Sequence, residues 1–173
     1  MRKLFYVLIV LITANLQAQV DIITKHNGDI IKGKVVRVQE YTIEFKYDGE
    51  DAEITMSKYA IEKIVYGKSG RVEEVTEKIV VKGEDDWEKV IIFEEKDYIA
   101  GLKKVGEVRG KTGLINFQTG NTGDKKASKK LKMAAAALGC PFIFMTADKS
   151  TVGANSNALG GSQNIKTGIA YKY

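Results

Sequence analysis

The 173-residue chain has one cysteine, one histidine, one proline and one tryptophan. A lone Cys140 makes no intrachain disulfide, even in an oxidising compartment, so stability has to come from packing. One His and one Cys exclude the usual zinc quartets, and no cofactor is expected. A catalytic histidine needs an orienting partner and a nucleophile within hydrogen-bond reach. His26 lies beside a tight turn and reads as a turn residue. Cys140 follows a predicted helix C-terminus, where the dipole disfavours a thiolate, and reads as a buried, inert thiol. There is no internal repeat. Beyond the N-terminal segment there is no second long apolar run, so no transmembrane span is expected in the mature chain.

That N-terminal segment has three parts. Arg2 and Lys3 make a basic start, Leu4 to Leu16 is mostly apolar, and Gln17-Ala18-Gln19 supplies a small residue near the end. This is the pattern of a secretory signal, and it is too short for the roughly 20 apolar residues of a bilayer span. Residues 1–19 therefore read as a cleavable signal peptide, cut after Ala18 or Gln19. The expected destination is the periplasm, the outer membrane as an associated protein, or the medium. No cysteine directly follows the candidate cut, so the usual lipid-carrying cysteine of a bacterial lipoprotein is missing. About 155 residues remain, enough for one ordinary domain or two small ones. The formal charge is +5, and losing Arg2 and Lys3 leaves 5 − 2 = +3. That mild excess suits an anionic envelope component and does not point to nucleic acid.

Residues 20–67 read as β structure. Val20 to Lys25 is followed by His26-Asn27-Gly28-Asp29, with Asn-Gly as a hairpin signal. Ile30 to Val38 is rich in β-branched residues, with Gly33 a bend or bulge. Tyr41, Ile43, Phe45 and Tyr47 alternate with Thr42, Glu44 and Lys46, the period of a half-buried strand. A turn at Asp48 to Asp51, a strand Ala52 to Met56, a helical turn at Ser57 to Ala60 and a strand Ile61 to Tyr66 complete the set. Five short strands with tight turns predict a small SH3- or Sm-like barrel. Residues 68–86 read as a linker, with Val72 to Val81 apolar enough for a strand.

Residues 87–173 read as an α+β domain, one main helix on an antiparallel or mixed sheet. Trp87 to Phe93 and Leu102 to Lys111 are predicted strands, and Thr119 to Gly123 a loop. Asp124 to Leu138 is the helix, with an apolar stripe of Ala127, Leu131, Ala134, Ala135 and Leu138. Thr122 or Asp124 would cap its start; Gly139 and Pro141 would end it. Phe142 to Thr146 is a buried strand, Val152 to Asn164 a loop, and Ile165 to Tyr173 a closing strand that could form an unpaired edge.

The order Val105-Gly106-Glu107-Val108-Arg109-Gly110, then Ala136-Ala137-Leu138-Gly139-Cys140, Phe142-Ile143-Phe144, Thr151-Val152-Gly153-Ala154-Asn155 and Thr167-Gly168-Ile169-Ala170 resembles the YbjQ-type family of small bacterial domains. It is also similar to the fold of the RcsF stress sensor. The resemblance covers Val105 to Tyr173. It implies an oligomer-capable α+β fold and no reaction. Cys140 stands where that family has Ala, and the paired cysteines of the stress sensor are absent. Residues 20–67 resemble the small SH3/Sm-like barrels of exported bacterial proteins.

Other clusters point to solvation more than to chemistry. Asp48, Glu50, Asp51 and Glu53 lack the Gly and Glu of a calcium loop, and Glu84 to Asp86 form a charge run. Glycines at a helix start with adjacent lysines make Gly120, Thr122, Gly123, Lys125 and Lys126 candidate anion-binding residues. The phosphate-loop pattern is not met, because Asp124 follows Gly123. Lys125, Lys126, Lys129, Lys130 and Lys132 give the helix a cationic face suited to an anionic partner. The function that follows is an exported, non-enzymatic binding or assembly protein of the envelope. Its partner is an anionic envelope component or a protein, and it is a candidate homo-oligomer. The alternative is an enzyme with a carboxylate and Tyr site assembled in space.

Overall fold

In a computed structural model of the chain, the structure describes residues 20–112, 120–152 and 162–173. The signal segment 1–19 lies outside the described residues, as does most of the predicted 152–164 loop. The fold is mixed α+β, mostly sheet, with one main helix and two sheets.

The first sheet opens with a hairpin of β1 (Asp21–Lys25) and β2 (Ile30–Val38). Gly28 takes φ +93°, and the Asn27 side chain accepts the Asp29 N–H, the local bonding that favours Asn and Gly in tight turns. Then come β3 (Thr42–Tyr47), β4 (Glu53–Ser57), a 3-10 turn at Lys58–Ala60 and β5 (Ile61–Val65). β6 (Val72–Glu74) pairs with β5, giving the order β4-β3-β2-β1-β5-β6. Among the described residues this sheet does not close. At the end of β4, the Ser57 N–H donates to the Ala100 carbonyl. The alternation in β3 buries Ile43 and Phe45 and leaves the flanking Tyr41 and Tyr47 exposed. Gly33 is not a bulge; the register slips two residues later, between Val35 and Arg37. Glycine is required at 33 because a Cβ would collide with the Lys46 carbonyl across the pair.

The second sheet is mixed. β7 (Ile91–Phe93), β8 (Lys103–Lys111), β9 (Phe142–Val152) and β10 (Ser162–Lys172) take the order β7-β9-β10-β8, with only β7–β9 parallel. Helix α1 (Gly120–Ala137) packs on β8 and β10. Gly110 lies so close beneath it that a Cβ would strike the Ala127 carbonyl. Ala127, Leu131 and Ala135 of the predicted stripe are fully buried.

Several expectations need correction. Trp87 to Phe93 is not one strand: Glu84–Lys89 is a 3-10 turn and only Ile91–Phe93 pairs. The turn seats the Trp87 ring against the helical core, under the Lys129 ammonium. The helix starts at Gly120, so Thr122 and Asp124 lie inside it and do not cap it. Leu138 is 49% exposed because it belongs to the closing turn, and Ala136 is buried in its stead. That turn does close on Gly139, at φ +65°, with the Cys140 N–H on the Ala135 carbonyl. The C-terminal strand is not an edge: β10 runs between β9 and β8. Its Gly168 leaves no room for a Cβ, which would stand 2.6 Å from the Ile143 side chain and 2.8 Å from the Phe144 carbonyl oxygen.

A third cluster joins the sheets. Phe93, Ile99 and Phe142 are buried, and the half-buried Tyr59 of the 3-10 turn after β4, Tyr171 of β10 and the following Tyr173 pack against them. The Tyr59 ring is 5.2 Å from Phe93 and 5.6 Å from Phe142. Burying Phe142 contributes about 1.5–3 kcal/mol, and each aromatic pair adds about 0.5–1.5. The connecting segment is part of this packing: Val75 touches the first core, and Ile79 touches the second core and the shared cluster.

Candidate functional site

The residues singled out for anion binding fall on the first turns of α1. Thr122, Lys125 and Lys126 are exposed, while Gly123 is buried. A Cβ at Gly123 would lie 2.8 Å from the Asn164 amide nitrogen. Asp124 is engaged with the sheet, its carboxylate 2.8 Å from Lys166 Nζ. Lys166 also meets Asp148 at 2.7 Å, and its side chain is 7% exposed against 47% for each aspartate. Burial alone would lower the Lys166 pKa; the two carboxylates outweigh it and hold the ammonium above its ordinary value. Beside this triad, Thr112, Gln163 and Asn164 are buried and bonded to one another: Gln163 Nε2 donates to the Thr112 carbonyl at 3.1 Å, and Asn164 N to Thr112 Oγ1 at 2.9 Å. Such a satisfied polar cluster fixes how the helix sits on the sheet. Sequence reading missed it, because its members are far apart in the chain and near only across the sheet.

The exposed cations around that cluster are the second feature. Residues 103–173 hold twelve Lys and Arg against three Asp and Glu, a net +9. Residues 20–102 hold thirteen against nineteen, a net −6. Lys103, Lys104, Arg109 and Lys111 on β8 are exposed, as are Lys125, Lys126, Lys129 and Lys130 on α1. Among the described residues, Lys166 is the only cation of residues 103–173 in an ion pair. Unneutralised charges on adjacent elements sum to a local positive field, which attracts anions over about a Debye length of 8 Å at physiological salt.

His26 is at a turn, yet its ring turns inward and is 8% exposed. Its Nε2 lies 3.0 Å from Thr76 Oγ1, which is itself 3.1 Å from the Lys58 carbonyl and 2.9 Å from that of Ile61. The Thr76 hydroxyl has one proton for three acceptors, these two carbonyls and the ring nitrogen, so which partner donates in the His26–Thr76 contact follows the ring tautomer. Burial lowers the His26 pKa, Glu62 opposes, Lys78 adds to the lowering and a bond to the Thr76 backbone opposes. Tyr173 packs edge-on at 4.8 Å, and Lys78 Nζ donates to the His26 carbonyl at 3.0 Å. The open groove here, 720 Å³, is lined also by Glu62, Glu74 and Glu77. Two backbone carbonyls compete with the ring for the Thr76 hydroxyl proton.

Cys140 is fully buried, and its thiol donates toward the Leu138 carbonyl at 3.5 Å. Burial raises its pKa, with Lys172 opposing. Asp48, Glu50, Asp51 and Glu53 line a shallow 1150 Å³ groove with Lys34, Lys46 and Lys68, where Lys46 pairs with Glu53 at 3.4 Å. Asp86 of the acidic run accepts the Lys82 N–H at 2.9 Å and pairs with Lys89 at 2.6 Å. Among the described residues, no three His, Cys, Asp or Glu side chains gather as a metal site, and no helix is long and apolar enough to cross a membrane. Comparison with family models, with curated proteins and with solved structures finds no match to this chain.

Proposed function

We propose that this chain is an exported, non-enzymatic binding protein whose cationic layer, β8 with α1, takes an anionic partner. The observation that carries the reading is the separation of charge: net +9 in residues 103–173, with eight cations exposed on β8 and α1, against net −6 in residues 20–102. The polar groups that could do chemistry are bound into packing, as with His26, Cys140 and Lys166. The signal pattern of residues 1–19 supports export, where anionic lipid, glycan and acidic protein are the available partners.

Strand order and the 3-10 turn between β4 and β5 support an SH3/Sm-like reading of residues 20–67. The order strand, helix, strand, strand supports a YbjQ-like reading of residues 103–173. Neither fold supplies a function.

The test is a titration of the full mature chain with sodium polyglutamate, and in parallel with phosphatidylglycerol and phosphatidylcholine vesicles, across a salt series. The anionic probes bind at low salt and release as salt rises; the neutral vesicles do not bind. Absence of binding to every anionic probe at low salt ends the proposal. Intact mass of protein recovered from the native host begins near Gln19 or Val20; a full-length cytoplasmic chain contradicts export.

A further inference from the structure

Resting on that reading, we propose that the outer edge of β8 is a docking strand for an extended acidic peptide segment, which joins the four-stranded sheet beside it.

The edges of the two sheets differ. β6 and β7 have three residues each. β4 has its last N–H taken by the Ala100 carbonyl, and the Lys96–Ile99 turn packs along it. β8 is nine residues long, and among the described residues no strand pairs with its outer side. A long unpaired edge is a template for another strand.

The register says which groups are offered. The Thr112 N–H donates to the Asn164 carbonyl at 3.1 Å, which makes Thr112–Asn164 a hydrogen-bonded pair. The register runs without a slip through Gly110–Lys166 and Val108–Gly168. Bonded and non-bonded pairs alternate in an antiparallel ladder. Glu107, Arg109 and Lys111 therefore turn their N–H and C=O groups outward. Their side chains share the face opposite α1, because Val108 and Gly110 pack beneath the helix.

Charge names the occupant. β8 carries Lys103, Lys104, Arg109 and Lys111 against Glu107 alone, and the close seat of α1 on Gly110 brings a lysine-rich helix over the same strand. A second copy fits poorly. Antiparallel self-pairing centred on Glu107 sets Lys103 against Lys111 and Glu107 against Glu107, and like charges directly opposite are destabilising. The same cations that keep a copy away match an acidic strand. Lipid or nucleic acid would answer the charge and leave the backbone groups without strand partners.

The probe is a capped, fluorescent nonapeptide alternating Glu with Val and Thr, used with the full mature chain. A second probe is the same peptide N-methylated at every other residue, which keeps the charge and removes one edge of donors. The first peptide binds, and amide exchange slows at Glu107, Arg109 and Lys111. The methylated peptide binds about tenfold more weakly or worse, the loss expected for a few ladder hydrogen bonds. Glu107→Pro removes one outward N–H while making the edge more cationic, and it weakens the first peptide. Should that variant not fold, the peptide pair decides alone. Equal affinity of the two peptides with unchanged exchange overturns the docking strand, even where polyglutamate still binds. Failure of polyglutamate and both peptides overturns this inference together with the function it rests on.

Discussion

In residues 20–102, acidic and basic groups meet in short ion pairs: Lys25 with Asp29 at 3.1 Å, Arg71 with Glu73 at 2.9 Å, Lys89 with Asp86 at 2.6 Å. In residues 103–173 the acidic groups are too few for that, and two of the three, Asp124 and Asp148, are spent on the buried Lys166. The first region thus pairs several of its cations locally and keeps an acidic excess; the second leaves its exposed cations to solvent. Exposed pairs are worth little to stability, about 0–1 kcal/mol each. Leaving the second region unpaired therefore costs the fold little and creates a positive field that attracts anions. The two regions share one aromatic cluster, so the contrast in charge is carried on a joined framework.

The largest expected effect tests that joining. Phe142→Ala removes a fully buried ring between the sheets and costs about 3–5 kcal/mol. Chemical denaturation shows one transition shifted for both regions, and amide exchange speeds up in β3 as well as β9. Unchanged protection in β3 would show two independent units.

A smaller effect is confined to the cationic region. Gly110→Ala pushes a methyl into the Ala127 carbonyl and costs about 1–3 kcal/mol, as overpacked sites do. Thermal unfolding checks it, and a neutral result would show that the helix seat is loose. Lys166→Met keeps volume and strands two half-exposed carboxylates. It costs about 1–2 kcal/mol, below the 3–5 of a fully buried broken pair.

The smallest effect lies at the junction. The folded His26 pKa is below the unfolded value, because burial favours the neutral ring. Its contribution is fully present above the unfolded pKa, near 6.5, and is lost as pH falls through the folded value. Unfolding free energy of the wild type therefore declines from about pH 6.5 downward, and His26→Gln flattens that part of the profile. An unchanged slope would remove His26 from the junction's energetics.

Local signals made the first sheet legible. The Asn27-Gly28 turn, the β-branched run before Val38 and the alternation ending at Tyr47 name β1, β2 and β3 within a residue or two. Gly139 marked the helix end, because a left-handed residue there is a local requirement. Trp87 misled because its apolar ring faces a helix from a 3-10 turn, which local pattern does not separate from a strand. β10 ends the chain yet lies inside its sheet, because sequence order does not give sheet order. At the candidate site, the lysines of α1 were legible as a face. The field was not, since a net charge of +5 for the whole chain averages an acidic part against a basic one. Counting charge by segment recovers it. The Lys166 triad and the His26–Thr76 bond depend on contacts 18 or more residues apart and had no local signal.

The central claim, that the cationic region and not the molecule's total charge takes the anion, is tested by two matched variants. One replaces Lys104, Lys125, Lys126 and Lys130 with Gln; the other replaces Lys32, Lys34, Lys68 and Lys96. All eight lysines are exposed, and each variant loses four charges. Polyglutamate affinity is measured for both at one low salt concentration. The first variant loses at least about tenfold in affinity and its salt slope flattens, while the second stays near wild type. Equal losses in both variants would contradict the account.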